Sequence, residues 1–337
     1  MLTRGHAASG DRVPAVKAET KLQLIHRARG LSGRLPATWD RRAREVGKAV
    51  LNYRGARDSG LRAASFARLA RQSHFAVATF GDGHLVVDTA DREIGRAVFI
   101  AGDYERVYMR AAVDHLAELG REHRGSTFVD VGANIGTSTV DALLHFGFGQ
   151  AHCFEPDPDN VRLLAANLAL NDLAERASIH AFALSDLDGV AGLRRAPGNS
   201  GDGRVVADPA AGPDGTVAHI TCTRLDTLVA NGELDPSGVG LVWIDTQGHE
   251  ARTLTGASSL LAAGAPIVVE YCPEALDANG SREALEALIA ETYDVVVDLH
   301  LRAHGSTSAV LAARDVRALH ARYEGANHTD LLLLRRP

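Results

Sequence analysis

The chemistry-bearing residues cluster in a few short stretches. In FVDVGANIGTSTV, residues 128–140, an apolar run ends at Asp130, turns through Gly132, Ala133, Asn134 and Gly136, and continues into Thr137 and other small polar residues. A strand that turns through glycine into a helix is a place to hold a nucleotide or nucleoside, because glycine lets the backbone approach closely. A dinucleotide's pyrophosphate asks for G-x-G-x-x-G, and here Asn134 occupies the middle-glycine position, where its side chain would crowd a diphosphate. A phosphate loop ending in Gly-Lys-Ser/Thr is also missing. Asp130 places a negative charge at the strand end, which disfavours an anion. S-adenosylmethionine, with its ammonium and sulfonium, suits such a turn better.

Downstream, CFEPDPDN places Glu155 25 residues after Asp130, about the distance at which an acid binds a ribose in such folds. A carboxylate can accept from both ribose hydroxyls; the other reading of Glu155 is a cap partner for the helix opening at Pro158. LVWIDTQGHE places Asp245 at another strand end and His249 on the turn that follows. A sulfonium carbon is open to in-line displacement, which needs orientation and, where the attacking group must lose a proton, a base. A neutral His249 could serve near neutral pH, or could be a helix-start histidine with no catalytic role. Asp245 is the firmer site residue, because the strand end fixes it. Magnesium shared by Asp245 and Glu270 is a less favoured variant, and Glu250 could serve a helix dipole. Asn199 and Ser200 could contact an acceptor or simply make a turn. Tyr104 and Glu105 could close the site or form a structural cap.

These residues need elements to position them. Residues 1–20 are polar and aperiodic. From 21 to 72 the spacing predicts interrupted amphipathic helices. FAVATF and LVVDTA around GDGH predict a β-hairpin, and VYMRAAVDHLAELG predicts a helix ending at Gly120. From 126 onward, short apolar strands alternate with helices over 137–147, 158–170, 249–262 and 281–290, the pattern of a parallel sheet covered on both faces. Residues 189–223, rich in Gly, Pro and Asp, interrupt the alternation and predict a hairpin lid.

The stretches FVDVGANIGTST, CFEPDPDNVRLLAANLALN, ALSDLDG, RLDTL and VWIDTQGHEARTLTGA, in this order and followed by VVE, resemble the FkbM-type S-adenosylmethionine-dependent methyltransferases. GDYER at 102–106 resembles a segment ahead of that family's core. The resemblance runs over roughly residues 79–335. It implies a class I methyltransferase fold: α/β, Rossmann-like, with a mostly parallel seven-stranded sheet and helices on both faces; the lid over 189–223 and a basic helical segment, 1–78, which takes no part in the resemblance, are expected from the sequence pattern itself. Residues 79–125 would precede the core and 126–337 would form it. The resemblance implies methyl transfer to a hydroxyl of a small natural product or sugar. By matching position, Asp130, Gly132, Ala133, Asn134, Gly136 and Thr137 look like the methionyl wall and Glu155 with Pro156 like the ribose clamp. The third-strand end from Ala183, Leu184 and Ser185 to Asp186 would flank adenine, and Asp245 would face the transferred methyl. The chain departs from the family at Trp243, where lysine is usual, and at Gln247, where glutamate is usual.

Composition bounds the rest. The chain is 45% hydrophobic and 23% charged, as a soluble globular protein is. Cys153, Cys222 and Cys272 are odd in number and lack metal-ligand spacing, which fits a reducing cytosol. No apolar run reaches the ~18 residues of a membrane helix, and no secretory signal is visible. The net charge of −6 hides an asymmetry: residues 1–78 hold 16 Lys and Arg against 5 Asp and Glu, a net of +11, leaving −17 elsewhere. The basic segment could dock an acidic carrier protein or lie on the chain's own acidic body; no nucleic acid or membrane partner is expected. An NAD-dependent oxidoreductase and a non-catalytic adaptor with the same fold remain the competing readings.

Overall fold

The computed structural model describes residues 59–206, 217–325 and 327–335. The chain divides into two units, Met1–Leu61 and Arg62–Pro337. Only residues 59–61 of the first are described, so most of the basic segment and its proposed docking role lie outside the described residues. Within the second unit, residues 62–69 continue a helix.

The hairpin Phe75–Phe80 (β1) and Gly83–Asp88 (β2) comes first, followed by helices Ile94–Ala101 (α1) and Arg106–Glu118 (α2). The core begins with Thr127–Val131 (β3), Thr137–His145 (α3), Gln150–Phe154 (β4), Pro158–Leu170 (α4) and Ala177–His180 (β5). The lid region holds Ala183–Leu184 (β6), Gly189–Ala196 (β7), Asn199–Val206 (β8) and Val217–Thr223 (β9). Leu225–Ala230 (α5), Val239–Ile244 (β10), Glu250–Thr255 (α6), Ser258–Ala263 (α7) and Ile267–Tyr271 (β11) resume the core. Pro273–Ala278 (α8), Arg282–Thr292 (α9), Val295–Asp298 (β12), Leu299–Ala303 (α10), Val310–Ala312 (β13) and Thr329–Leu334 (β14) complete it.

The main sheet has the order β13-β12-β14-β11-β10-β3-β4-β5. The strands from β11 to β5 are mutually parallel; β14 runs antiparallel to both β11 and β12. The mostly parallel α/β class is as expected, but the sheet has eight strands rather than seven. The addition is β13, a three-residue antiparallel edge on β12 too short to carry a hydrophobic period. All five residues of β3 and of β11 are buried, because helices cover both faces. One face packs Phe128, Leu164, Leu168 and Trp243; the other packs Val129, Val242, Ile244, Leu254 and Tyr271. Chain order reverses between β3 and β10, which opens a crevice at the carboxyl ends of these strands.

The inserted region is more than a hairpin. β7 pairs with β8 and β9, and β9 with β6, in a separate four-stranded sheet over a small core of Ala183, Ala191, Leu193, Val205, Ile220 and Cys222; residues 207–216 lie outside the described set. The helix predicted over 249–262 is two short ones. Gly256 separates them, where a Cβ would lie 1.9 Å from the Ser185 carbonyl. The hairpin ahead of the core is stitched to α4. Asn167 accepts from the Val86 N–H at 2.6 Å and donates to its carbonyl at 3.2 Å, and Asn171 does the same with His84 at 2.9 and 2.7 Å.

Candidate active site

The turn after β3 is fixed by the protein's own packing. Gly132 has φ 86°, and a Cβ there would sit 1.9 Å from the Asp245 carbonyl oxygen, so β3 and β10 can close only over glycine. Gly136 has φ 92°, with Leu164 2.7 Å from where a Cβ would be. Asp130 is 2% exposed and its carboxylate accepts from the Thr139 hydroxyl in the first turn of α3. Burial raises its pKa to about 7, opposed by the Thr139 hydrogen bonds.

Asn134 has φ 49° and ties three elements together. Its N–H donates to Glu155 Oε2 at 2.8 Å, and its amide donates to the Ser200 carbonyl of β8 at 2.8 Å. Glu155, at the end of β4, is buried; its other oxygen accepts from the Asp157 N–H at 2.8 Å. Burial lifts Glu155 to about 7 against these hydrogen bonds. Of the non-glycine residues with positive φ, Glu105, Asn134 and Gln247 all line a cavity at this strand edge, and such strain concentrates at functional sites.

Two cavities meet here. The first encloses about 560 Å³, partly open to solvent, and has Glu155 on one side. Apolar walls from Phe154, Pro156, Ala183 and Leu184 face Leu193 and Val205 of the lid, whose Gly201 and Gly203 leave the roof without side chains. The second, about 400 Å³, is walled by Tyr104, Glu105, Asp130, Ala133, Thr137 and Trp243. Gly132, Asn134, Gly201 and Asp245 border both. Among the described residues, no lysine or arginine lines either one.

Asp245 faces a third group. Gln247 Nε2 donates to Asp245 Oδ1 at 2.8 Å and to Glu270 Oε2 at 3.2 Å. Burial, then the Asp330 charge, raises Asp245 to about 7. His249 stands apart from this group: its Nε2 is 3.0 Å from Ser185 Oγ, and Ser185 donates to Asp186. Burial lowers His249 to about 4, with the nearby Arg252 adding to the effect. His249 lines both the first cavity and a neighbouring one, whereas Ser185 lines only the neighbouring one. Among the described residues, no group of three or more His, Cys, Asp or Glu side chains is arranged to hold a metal ion.

With that geometry in place, comparison with known proteins is informative. The model of the methyltransferase FkbM domain matches residues 130–305, more than half of the chain. The chain belongs to the FkbM methyltransferase family. No curated protein matches it. Among solved structures, TYW2 of Pyrococcus horikoshii in complex with MeSAdo is 14% identical, over 78% of this chain and 72% of that one, with a TM-score of 0.35. An RNA methyltransferase of Salinibacter ruber in complex with S-adenosyl-L-homocysteine is 16% identical, over 47% and 73%, with a TM-score of 0.25. A precorrin-6y methyltransferase of Geobacter metallireducens is 14% identical, over 67% and 86%, with a TM-score of 0.33. At such scores these likenesses decide nothing about substrate.

In this FkbM methyltransferase, both departures from the family pattern have structural roles. Trp243 is 4% exposed and packs in the core beneath the second cavity. Gln247 bridges two carboxyls where a glutamate would add another negative charge. Sequence reasoning missed the clasp of the lid: Ser200 Oγ donates to Asp91 Oδ2 at 2.6 Å, and its carbonyl accepts from both Asn134 and Asn160. Asp91 comes from the segment ahead of the core and carries no motif, so only the fold reveals it. Asn160 was visible within DPDN, but its spacing alone marks no partner. No helix among the described residues is long and apolar enough to cross a membrane.

Proposed function

We propose that the protein is an S-adenosylmethionine-dependent O-methyltransferase acting on a hydroxyl of a small natural product or sugar. The observation that carries this is the lining of the paired cavities: an apolar slot with one acid at its side opens into a carboxylate-lined pocket, with no lysine or arginine among the described lining residues. A dinucleotide's pyrophosphate would find no cationic partner there, whereas a nucleoside with a positive sulfur and an ammonium finds acids at its charged end. The donor set therefore fits S-adenosylmethionine.

Glu155 keeps free lone pairs after its two backbone bonds and would hold the ribose hydroxyls. Phe154, Pro156, Ala183 and Leu184 would flank the base, with Ser185 acting through His249. Asp130, Gly132, Ala133, Asn134, Gly136 and Thr137 would surround the methionyl end. When bound, the cofactor supplies an electrophilic methyl on a positive sulfur. Asp245, lifted to about 7, is matched to take a proton from an acceptor hydroxyl near neutral pH. His249 is neutral at that pH and already engaged with Ser185, so we assign it to the adenine wall. Gln247 holds Asp245 in place, and the lid excludes water.

Titration calorimetry on the full chain is the test. Both S-adenosylmethionine and S-adenosylhomocysteine should bind without added metal, and NADH should not. Absence of heat with both nucleosides would overturn the reading. A screen of hydroxylated metabolites and sugars for a methyl mass gain then tests the acceptor class: Asp245→Ala should abolish transfer, and His249→Ala should reduce it less.

A further inference from the structure

A line of ionisable side chains leads away from the cofactor cavities. Asp245 at the end of β10 and Glu270 on β11 share the Gln247 amide, whose Nε2 donates to both carboxyls at 2.8 and 3.2 Å. Glu270 stands directly opposite Asp330 in the antiparallel β11–β14 ladder, where opposed side chains share a face with Cβ atoms about 4.5–5.5 Å apart. Asp330 Oδ2 lies 3.3 Å from His300 Nε2 on α10. The Asp330 side chain is 8% exposed and that of His300 19%, so the line ends at solvent. Among the described residues, neither lysine nor arginine ion-pairs with any of these carboxylates.

We propose that Asp245, Glu270, Asp330 and His300 form one proton-holding unit that carries the acceptor's proton from the reacting face to solvent. The proposal rests on the reading of Asp245 as the acceptor-side base. The balance is simple. An oxygen lone pair forms the new O–CH3 bond, and the C–S bond breaks with its electrons staying on sulfur. The O–H proton passes to Asp245, from Asp245 to Glu270, from Glu270 to Asp330 and from Asp330 to His300, which releases it to water, so each group returns to its starting state. Asp245 is the catalytic residue; the others are positioning residues that act through it. Asp245 and Glu270, buried and joined through one amide, disfavour both being ionised at once. Burial first, and then Asp245, pushes Glu270 well above its ordinary value.

His300 is faced by Asp330 from β14, by the Tyr108 ring of α2 stacked at 3.8 Å, and by His328 edge-on at 5.4 Å. Glu105, beside α2, is set against Asp330 and Asp245. On its own helix, His304 Nδ1 meets the His300 carbonyl at 2.7 Å.

The test follows the His300 imidazole by nitrogen-15 NMR across pH in the full chain. Removing a negative charge or adding a positive one should lower its titration midpoint. Glu270→Gln, which has no contact with His300, should lower it by about half a unit or more. S-adenosylmethionine should lower it relative to S-adenosylhomocysteine, which lacks the sulfonium charge. Unchanged midpoints in Glu270→Gln and Asp245→Asn would overturn the unit, and if the first fails to fold, the second decides. If neither nucleoside binds, the assigned function fails; coupling in the ligand-free protein still judges the unit by itself.

Discussion

Gly132 is the residue least open to change. A methyl group there meets the Asp245 carbonyl at 1.9 Å, backbone against backbone, on top of a φ of 86°. Gly132→Ala should therefore cost about 2–4 kcal/mol, read as a lowered melting temperature, and should abolish cofactor binding. Glu155→Gln is milder in shape. Losing charge-assisted bonds to the ribose and to the Asn134 N–H should weaken S-adenosylmethionine about 10–100-fold, measured by calorimetry. The buried acids also set a pH dependence. Asp130, Glu155 and Asp245 are each raised to about 7, and a cationic ligand prefers them ionised. Binding of S-adenosylmethionine should tighten as pH rises from 6 to 8, with a smaller change for S-adenosylhomocysteine. Equal slopes for both would show that the sulfur's charge is not what these acids meet.

Among the elements, the lid is the one whose bonds tie it to the cofactor turn. β8 hangs on the Ser200 carbonyl, held by Asn134 and Asn160, and on the Ser200 hydroxyl, held by Asp91; Arg195 of β7 adds an ion pair to Asp157 at 2.6 Å. Asn134→Ala should speed amide exchange in β8 while leaving β3 and β10 protected, a pattern that hydrogen-exchange mass spectrometry resolves. The core strands were legible because burial on both faces leaves continuous apolar runs such as IVVEY. The acids at their ends were legible because a strand end is a fixed place. α6 and α7 read as one helix, since their break comes from the contact of Gly256 with Ser185, which spacing cannot show. The approach of the Asp245 carbonyl to Gly132 was not legible for a similar reason: glycine in a turn signals close approach, but not what approaches. Asp91, Asn160 and Ser200 are ordinary polar residues until three elements meet.

For the whole molecule, buried acids outnumber buried histidines in their effect on stability. An acid with a folded pKa near 7 holds a proton that the unfolded chain has already lost, so its contribution falls as pH rises from about 4 to 7. His180 and His249, lowered to about 4, act in the opposite sense, and their contribution is complete once pH exceeds about 6.5. Between pH 6 and 8 the acids decide. The ligand-free protein should melt at a lower temperature at pH 8 than at pH 6 by scanning calorimetry, and S-adenosylmethionine should flatten that difference.

The asparagines of α4 have a broader consequence. Asn167 and Asn171 offer Val86 and His84 a donor and an acceptor each, as a neighbouring strand would, so the helix serves β2 as a substitute sheet partner. The hairpin leads through α1 to Tyr104 and Glu105, which wall the second cavity. That wall should therefore melt with the sheet as a single block in hydrogen-exchange and calorimetric measurements, and under the proposed function its side chains can be exchanged to alter the acceptor without loosening their tie to the core.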